Sequence, residues 1–343
     1  MVVRALRQLS GAAGIKVRGR IHRLPTGRGL EVTIRRGPFT QGDSNMEKRQ
    51  MGKTDMHVSV LGFGGAEIGF EGATPQTVEQ LLHDALDAGL NVIDTAECYP
   101  NIEEMIGESA VDRRKEFYLF TKCGHPEHYT KEDWRPESLL HSVERSLRRL
   151  RTDRLDLIQL HSCSEAELRN GDVINALEQA RQRGWTRYIG YSGDSSAARY
   201  AIETGRFDVL QTSVSIADQE AIDLTFPLAR QKLMGVIAKR PLANVAWRYS
   251  QKPDNSYHAP YWERLQKLDY DFCRHDPKQA VATALRFTLG VPGVHTAIVG
   301  TTKPGRWREN AEILAAGPLP AETFERIRTG WRAVAQQSWD GQV

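Results

Sequence analysis

The chain has 343 residues, of which 40% are hydrophobic and 26% charged, so it can bury a large core. It contains no run of 18 or more apolar residues, which argues against a transmembrane helix, and we expect a cytoplasmic protein with no membrane partner. The formal net charge is only +3, and Cys98, Cys123, Cys163 and Cys273 form no C-x-x-C pair, which argues against a metal site or a disulfide framework.

Residues 1–45 form a basic leader, with nine Lys and Arg side chains against only Glu31 and Asp43. This composition is typical of an organelle transit peptide, a nucleic-acid-binding arm or an unstructured extension. Because its many glycines would break an amphipathic helix, we favour a disordered extension, and Met46 offers a second start directly after it. We therefore predict this extension and one domain over residues 46–343. No zinc spacing or interleaved aromatic platform supports a nucleic-acid partner.

Short β-branched apolar runs alternate with helical patterns of about 10 to 15 residues from residue 56 onward, which is typical of repeated βα units. The segment 138–150 illustrates the helices, because Leu139, Val143 and Leu147 fall on one face of it. We predict strands at residues 58–64, 91–95, 117–122, 155–161, 186–192, 208–214, 235–239 and 296–300.

Eight parallel strands separated by helices predict a (β/α)8 barrel, the TIM barrel. A doubly wound open sheet would usually have fewer strands and a G-x-G-x-x-G turn after the first, which Gly62-Phe63-Gly64-Gly65 does not complete. Two additions are predicted, a long loop from Leu242 to His275 after strand 7 and an extra C-terminal helix over residues 321–336. The aromatic side chains of that loop would either cover a ligand or pack the loop onto the barrel.

Four polar residues lie at or just beyond the ends of three successive predicted strands, where the active sites of such barrels lie. Asp94 ends the second strand and Tyr99 follows it; Lys122 ends the third strand, and His161 the fourth. A tyrosine, with an ordinary pKa of about 10, becomes a usable acid at neutral pH when a nearby ammonium lowers that pKa. The pattern therefore predicts carbonyl reduction with Tyr99 as proton donor. The alternative is a set of ordinary salt-bridge and capping residues.

In these residues the sequence resembles the aldo-keto reductase family, over about residues 46 to 330. The run Asp94-Thr95-Ala96-Glu97-Cys98-Tyr99 is similar to the family's D-[TS]-A-x-x-Y signature, and Thr121-Lys122 and Leu160-His161 are similar to the strands that bear its lysine and histidine. The resemblance implies that an aldehyde or ketone is reduced by hydride transfer from a nicotinamide. It also implies the catalytic set Asp94, Tyr99, Lys122 and His161.

The same resemblance indicates residues that would hold the nicotinamide half of the cofactor. Ser192 and Gln211 stand where the family binds the carboxamide, whereas Gly193 replaces the usual asparagine. Lys239-Arg240 stands where many members stack an aromatic residue on the nicotinamide, so Arg240 or the aliphatic stem of Lys239 would cover the ring instead. Further candidates lie in the turn after the first strand, where the alternative is a tight βα turn: Gly64 and Gly65.

Residues 300–310 are similar to the family's adenosine-phosphate segment. Arg306 would make bidentate bonds to a 2′-phosphate, with a hydroxyl from Thr301 and a charge from Lys303. Glu309 and Asn310 would meet the adenine. Cations at a helix N-terminus oppose the helix dipole, so a bound phosphate explains them better than a basic solvated turn does. We therefore predict NADPH as the cofactor, with NADH as the alternative.

Two other functions stay open on the sequence. One is an NAD-dependent sugar or alcohol dehydrogenase of the same family, which the absence of the family's usual Lys at position 300 permits. The other is a regulatory subunit that binds a nicotinamide nucleotide without catalysis. For the reductase, the partner would be a small carbonyl compound.

Overall fold

The computed structural model describes residues 46–126 and 131–342. The predicted N-terminal extension, residues 1–45, lies outside the described residues. Within them the strands form a two-stranded hairpin and an eight-stranded closed barrel. In chain order the strands are β1 Lys48–Gln50, β2 His57–Ser59, β3 Leu61–Gly64, β4 Val92–Asp94, β5 Tyr118–Cys123, β6 Leu155–His161, β7 Thr186–Ser192, β8 Val209–Ser213, β9 Gly235–Lys239 and β10 Thr296–Val299.

The barrel strands β3 to β10 are parallel and follow one another in chain order. The ring closes where β10 pairs with β3, with Ala297 opposite Leu61. Strands of a parallel barrel are covered on both faces, by the barrel interior and by helices, and therefore read as near-continuous apolar runs. In β6, for example, all seven residues are buried, and Leu155, Leu157, Ile158 and Leu160 supply its apolar side chains. The predicted (β/α)8 barrel is confirmed.

The predicted first strand, residues 58–64, is in fact divided between two sheets. His57–Ser59 pairs antiparallel with Lys48–Gln50, and only Leu61–Gly64 enters the barrel. The apolar run is continuous across the division, so its composition gave no sign that the pairing partner changes. The hairpin packs against barrel-interior side chains toward the N-terminal ends of the strands. Its buried Met51, Met56 and Val58 share a cluster with Val92, Phe120, Leu157, Val209 and Ile237.

Helices lie between the barrel strands and bury their apolar faces in the main core. None of the described helices is both long and apolar enough to cross a membrane. The helices are Ala66–Phe70, Pro75–Asp87, Ile102–Ser109, Pro136–Arg149, Glu165–Asn170, Asp172–Gln182, Ser195–Thr204, Glu220–Leu224, Phe226–Gln231, Ala259–Leu268, Phe272–His275, Pro277–Gly290, Arg306–Ala315 and Ala321–Val334, with 3₁₀ turns at Val111–Glu116 and Ala243–Arg248.

The predicted loop 242–275 is partly helical, because two helices and a 3₁₀ turn lie within it. Two of its aromatic side chains pack the segment onto the protein. Tyr261 is fully buried and donates its hydroxyl to Asp218 Oδ2 at 3.1 Å, and Trp262 donates Nε1 to the Tyr249 carbonyl at 2.9 Å. Tyr257 instead reaches toward the barrel mouth, so the segment both packs and lines a site. The extra C-terminal helix is present as Ala321–Val334.

Candidate active site

Asp94 and Lys122 form a buried ion pair at the C-terminal mouth of the barrel. Asp94 is the last residue of β4, and Lys122 lies near the end of the neighbouring β5. Lys122 Nζ donates to Asp94 Oδ1 at 2.5 Å and to the Thr95 carbonyl at 2.8 Å. The side chains are only 2% and 1% exposed, so both charges depend on each other and on these hydrogen bonds.

Tyr99 and His161 lie beside this pair. Lys122 Nζ is 5.4 Å from the centroid of the Tyr99 ring, and the Tyr99 and His161 rings are 5.9 Å apart in an edge-to-face arrangement. The ring of Phe70, which is 57% exposed, lies edge-on to Tyr99 at 5.6 Å. The structure thus brings the four predicted catalytic residues together, with an exposed apolar ring next to them.

The surroundings of His161 favour the neutral form of its imidazole. Burial, followed by the positive charge of Lys122, holds its pKa well below its usual value. A neutral imidazole has one N–H donor and one acceptor nitrogen, so it can bond a carbonyl oxygen without adding a charge. This state suits a residue that orients a substrate and leaves proton donation to another group.

Two glutamines, one on β6 and one on β8, hydrogen-bond Asp94 across the barrel interior. Gln211 Nε2 donates to Asp94 Oδ2 at 2.8 Å, and Gln159 Nε2 does so at 3.3 Å. Ser192 Oγ donates to Gln211 Oε1 at 3.2 Å. The predicted carboxamide residues therefore belong to the same network as the ion pair, and a carboxamide would have to share Gln211 Oε1, which has two lone pairs. Sequence reasoning missed Gln159, although a glutamine inside an apolar strand is a visible signal.

A second missed residue is His125, which follows β5. It is buried, donates Nε2 to the His161 carbonyl at 2.7 Å, and lies edge-on to both His161 and Trp134 at 5.5 Å. Its backbone N–H and that of Gly124 donate to Glu97 Oε1, at 3.1 Å and 2.8 Å. Glu97, from the D-T-A-E-C-Y run, thus holds the loop that places His125 against His161.

Lys239 forms another buried ion pair, with Asp194, at 2.7 Å. Asp194 also accepts from Thr212 Oγ1 at 2.6 Å and from the Ser213 N–H at 2.7 Å. These bonds and the Lys239 ammonium outweigh the effect of burial and lower the pKa of Asp194. Lys239 is therefore held by Asp194, which leaves Arg240 as the better candidate to cover a nicotinamide.

The backbone near the C-terminus reaches this second pair, which the sequence did not indicate. Arg240 Nη1 donates to the Gln342 carbonyl, to which Ser213 Oγ also donates at 3.2 Å. Trp339 anchors the segment by packing on Trp331 at 5.1 Å between ring centroids. Gly193 packs closely on Tyr191, because a Cβ at that position would lie 2.5 Å from the Tyr191 hydroxyl, and its role at the cofactor stays a prediction.

The predicted glycines Gly64 and Gly65 lie directly beside Asp94. Gly64 pairs with Asp94 in the sheet, and the Gly65 N–H donates to the Asp94 carbonyl at 2.9 Å. Across the mouth, the partly buried Glu67 carboxyl accepts from the Tyr257 hydroxyl at 3.3 Å, and loss of contact with water raises its pKa. A Cβ at position 300 would overlap this carboxyl in its present position, so a larger residue there would require Glu67 to move.

The predicted adenosine segment lies around the start of the helix Arg306–Ala315. Arg306 Nη1 donates to Glu309 Oε2 at 2.6 Å, and their side chains are 39% and 60% exposed. The Lys303 N–H donates to Thr301 Oγ1 at 3.1 Å, which shapes the turn before the helix. Asn310 is buried at 1% exposure, and its Nδ2 has no hydrogen-bond partner among the described residues.

These residues fit a nicotinamide dinucleotide chemically. The buried amide of Asn310 is a donor for which the described residues supply no acceptor, as an adenine-binding amide would be. Arg306 and Lys303 are accessible cations at a helix N-terminus, where an anion is favoured. Ser192 ends β7, Gln211 lies in β8 and Arg240 follows β9, so their hydroxyl, amide and guanidinium groups are candidates for the nicotinamide end.

The fold and this site define a barrel oxidoreductase with its polar groups at the C-terminal mouth. The aldo/keto reductase family model matches residues 60–332, and the chain belongs to that family. It is 26% identical over 301 residues to the uncharacterized oxidoreductase YqkF of Bacillus subtilis, covering 83% of this chain and 96% of the relative. It is 25% identical to L-galactose dehydrogenase of Arabidopsis thaliana, covering 86% and 98% of the two chains. Among solved structures it is similar to the holo form of aldo-keto reductase AKR11C1 from Bacillus halodurans, with a TM-score of 0.73, 26% identity, and coverage of 86% and 99%.

Proposed function

We propose that this oxidoreductase reduces an aldehyde or ketone to an alcohol, with Tyr99 as the general acid. When bound, the nicotinamide supplies a hydride to the carbonyl carbon. Tyr99 gives its hydroxyl proton to the carbonyl oxygen, and the Lys122 ammonium stabilises the phenolate that is left. Asp94 holds that ammonium in place, and His161 bonds the carbonyl oxygen and orients it toward Tyr99.

The observation that carries this proposal is the buried pair Asp94–Lys122, with its ammonium 5.4 Å from the Tyr99 ring centroid. A buried ion pair gives little net stability, because desolvation offsets the attraction between the charges. What favours an active role for this pair, in contrast to the pair Asp194–Lys239, is the Tyr99 ring beside its ammonium. Three more side chains support the pair or face it, since Gln159 and Gln211 bond Asp94 and His161 lies next to Tyr99.

We propose NADPH as the preferred cofactor, with NADH as a poorer substitute. Arg306 is 39% exposed and pairs with Glu309 on the helix surface, so it can turn to a 2′-phosphate at little cost. Lys303 and Thr301 precede it in the turn. At the nicotinamide end, Ser192 and Gln211 would hold the carboxamide, and Arg240 would cover the ring. Asn310 would bond the adenine.

We propose a small carbonyl substrate with an apolar or aromatic substituent. The support is the rim around Tyr99, where Phe70 is 57% exposed and the Trp134 ring packs on His125.

Four buried or partly buried free cysteines also fit a reducing compartment such as the cytoplasm.

The purified protein should be assayed with a panel of aldehydes, ketones and quinones, using NADPH and NADH in turn. We expect turnover with NADPH, larger for aromatic than for small polar carbonyls. Saturable NADPH binding with no reduction of any panel member would contradict the reductase and support the regulatory subunit.

The second candidate is the oxidation of a sugar or alcohol. It is favoured by a specific finding, namely that the chain is 26% identical to D-threo-aldose 1-dehydrogenase of a Pseudomonas species over 313 residues. The same assay run in reverse, with aldoses and either NAD or NADP, separates the two. Faster oxidation of an aldose with NAD than reduction of any carbonyl would replace our first proposal.

A further inference from the structure

Cys98 contacts the imidazole of His161 directly. The residue immediately precedes Tyr99 and is fully buried, and its Sγ lies 3.5 Å from His161 Nδ1. This separation is within hydrogen-bonding range for a sulfur atom, which is larger than oxygen. In the family signature D-[TS]-A-x-x-Y this position is one of the two that are left open. The thiol is therefore a feature of this chain rather than of the signature.

The His161 backbone is fixed independently of this contact. His161 pairs with Ser192 in the sheet, and its carbonyl accepts from His125 Nε2 at 2.7 Å. The ring itself packs edge-on against the rings of Tyr99 and His125, and the question is which of its nitrogens carries the single hydrogen of the neutral imidazole. That choice is set by the hydrogen bonds that each nitrogen makes.

A thiol at Nδ1 favours one of the two tautomers. Sulfur is a weak acceptor, whereas a nitrogen lone pair is a good one, so donation from the thiol to Nδ1 is the better arrangement. The hydrogen of the imidazole then lies on Nε2, at the edge of the ring opposite Cys98. The reverse tautomer would present a lone pair from Nε2 to a carbonyl oxygen, and the two would repel each other.

We infer that Cys98 is a positioning residue whose thiol donates to Nδ1 of His161 and so keeps the imidazole hydrogen on Nε2, directed toward the substrate oxygen. The tautomer of His161 can be measured whether or not the protein is an enzyme, whereas its effect on catalysis rests on the proposed function. Among the described residues, the charged or titratable groups that face the His161 ring include Lys122, His125, Lys239 and Arg240, together with the adjoining Tyr99.

The tautomer can be observed by long-range proton–nitrogen NMR of the full-length protein labelled with 15N-histidine. The His161 signals are those that disappear in His161→Gln. We expect a protonated Nε2 and an unprotonated Nδ1 in the wild type, a mixture of tautomers in Cys98→Ala, and the wild-type pattern in Cys98→Ser. A protonated Nδ1 in the wild type, or an unchanged pattern in Cys98→Ala, would overturn the inference.

Cys123→Ala is the matched control, because Cys123 is also fully buried but its thiol donates to the Gln159 carbonyl, at 3.6 Å. It removes the same sulfur volume from the core and should leave the His161 tautomer unchanged. A tautomer change of equal size in this control would attribute the effect to packing and overturn the inference.

Kinetics gives the catalytic consequence. We expect Cys98→Ala to lower kcat by about three- to tenfold, as the loss of one hydrogen bond does, with little change in the KM for NADPH. Cys98→Ser should recover most of that loss, and equal kcat values for Cys98→Ala and wild type would refute the catalytic consequence. If the wild type reduces no carbonyl while its NMR pattern is as expected, the proposed function fails and the tautomer assignment stands.

Discussion

Two buried aspartate–lysine pairs lie at the same end of the barrel, and their surroundings differ. Asp94 and Lys122 are 2.5 Å apart, and Asp194 and Lys239 are 2.7 Å apart. Each carboxylate also accepts hydrogen bonds from two other side chains, which are Gln159 and Gln211 for Asp94, and Thr212 and Ser213 for Asp194.

The difference lies in what each ammonium faces. Lys122 lies 5.4 Å from the centroid of the Tyr99 ring, whereas Lys239 is followed by Arg240 and lies on the side where the segment around Gln342 docks. Two similar ion pairs can therefore have different roles in one barrel. We expect the first pair to support proton donation, and the second to fix the shape and charge of the cofactor side.

Lys122→Met should have the largest effect on activity and should separate the two pairs most clearly. The substitution removes the positive charge beside the Tyr99 ring and leaves the buried Asp94 carboxylate without its cation. We expect kcat/KM to fall by about a thousandfold, and the free energy of unfolding to fall by about 3 kcal/mol. Steady-state kinetics and urea denaturation measure the two effects. A stable variant that keeps most of its activity would refute the role of the first pair.

Lys239→Met is the matched change in the second pair. The free energy of unfolding should fall by about 3 kcal/mol here as well, because Asp194 is left buried without its cation. In contrast, we expect kcat at saturating NADPH to fall less than about tenfold. A thousandfold loss of kcat would show that the two pairs share one function.

Arg306→Ala tests whether a charge on the exposed adenosine segment, residues 300–310, contributes to cofactor binding, in contrast to the charges of the two buried pairs. We expect the Kd for NADPH to rise about tenfold or more, with little change for NADH, since only NADPH carries the 2′-phosphate. Arg308→Ala, an exposed arginine of the same helix, is the control and should change neither Kd. Equal losses for both cofactors in Arg306→Ala would remove the 2′-phosphate role.

The smallest expected effect is the pH dependence of kcat/KM that arises from His161, next to Tyr99. Because burial and the Lys122 charge lower the pKa of His161, the imidazole is already neutral as the pH rises through its ordinary range. We expect kcat/KM to stay level between about pH 6 and about pH 7.5. A step near pH 6.5 that disappears in His161→Gln would show that the imidazole titrates normally.

Much of the barrel could be predicted from the sequence. The strands at 155–161, 186–192 and 235–239 have the predicted bounds, because each is a short segment rich in leucine, β-branched or aromatic residues that ends in a polar residue. The convergence of Asp94, Lys122 and His161 was predictable for the same reason, since the ends of neighbouring parallel strands meet at one mouth. Their catalytic roles stay predictions.

The remaining features depend on contacts between distant positions. Arg240 and Gln342 are 102 residues apart, and Asp94 and Gln211 are 117 apart, so no local periodicity reports either bond. The division of the first strand at Val60 depends likewise on its pairing with Lys48–Gln50. Asp194 was visible only as a departure from the family pattern, and its pairing with Lys239 required the fold.

The most direct test of the central claim is the single-turnover rate of carbonyl reduction in Tyr99→Phe, with the protein saturated with NADPH. Phenylalanine keeps the ring next to Lys122 and Phe70 and removes only the hydroxyl. We predict a loss of at least about a thousandfold in the rate, with the Kd for NADPH within about twofold of wild type. A rate within tenfold of wild type would contradict Tyr99 as the proton donor.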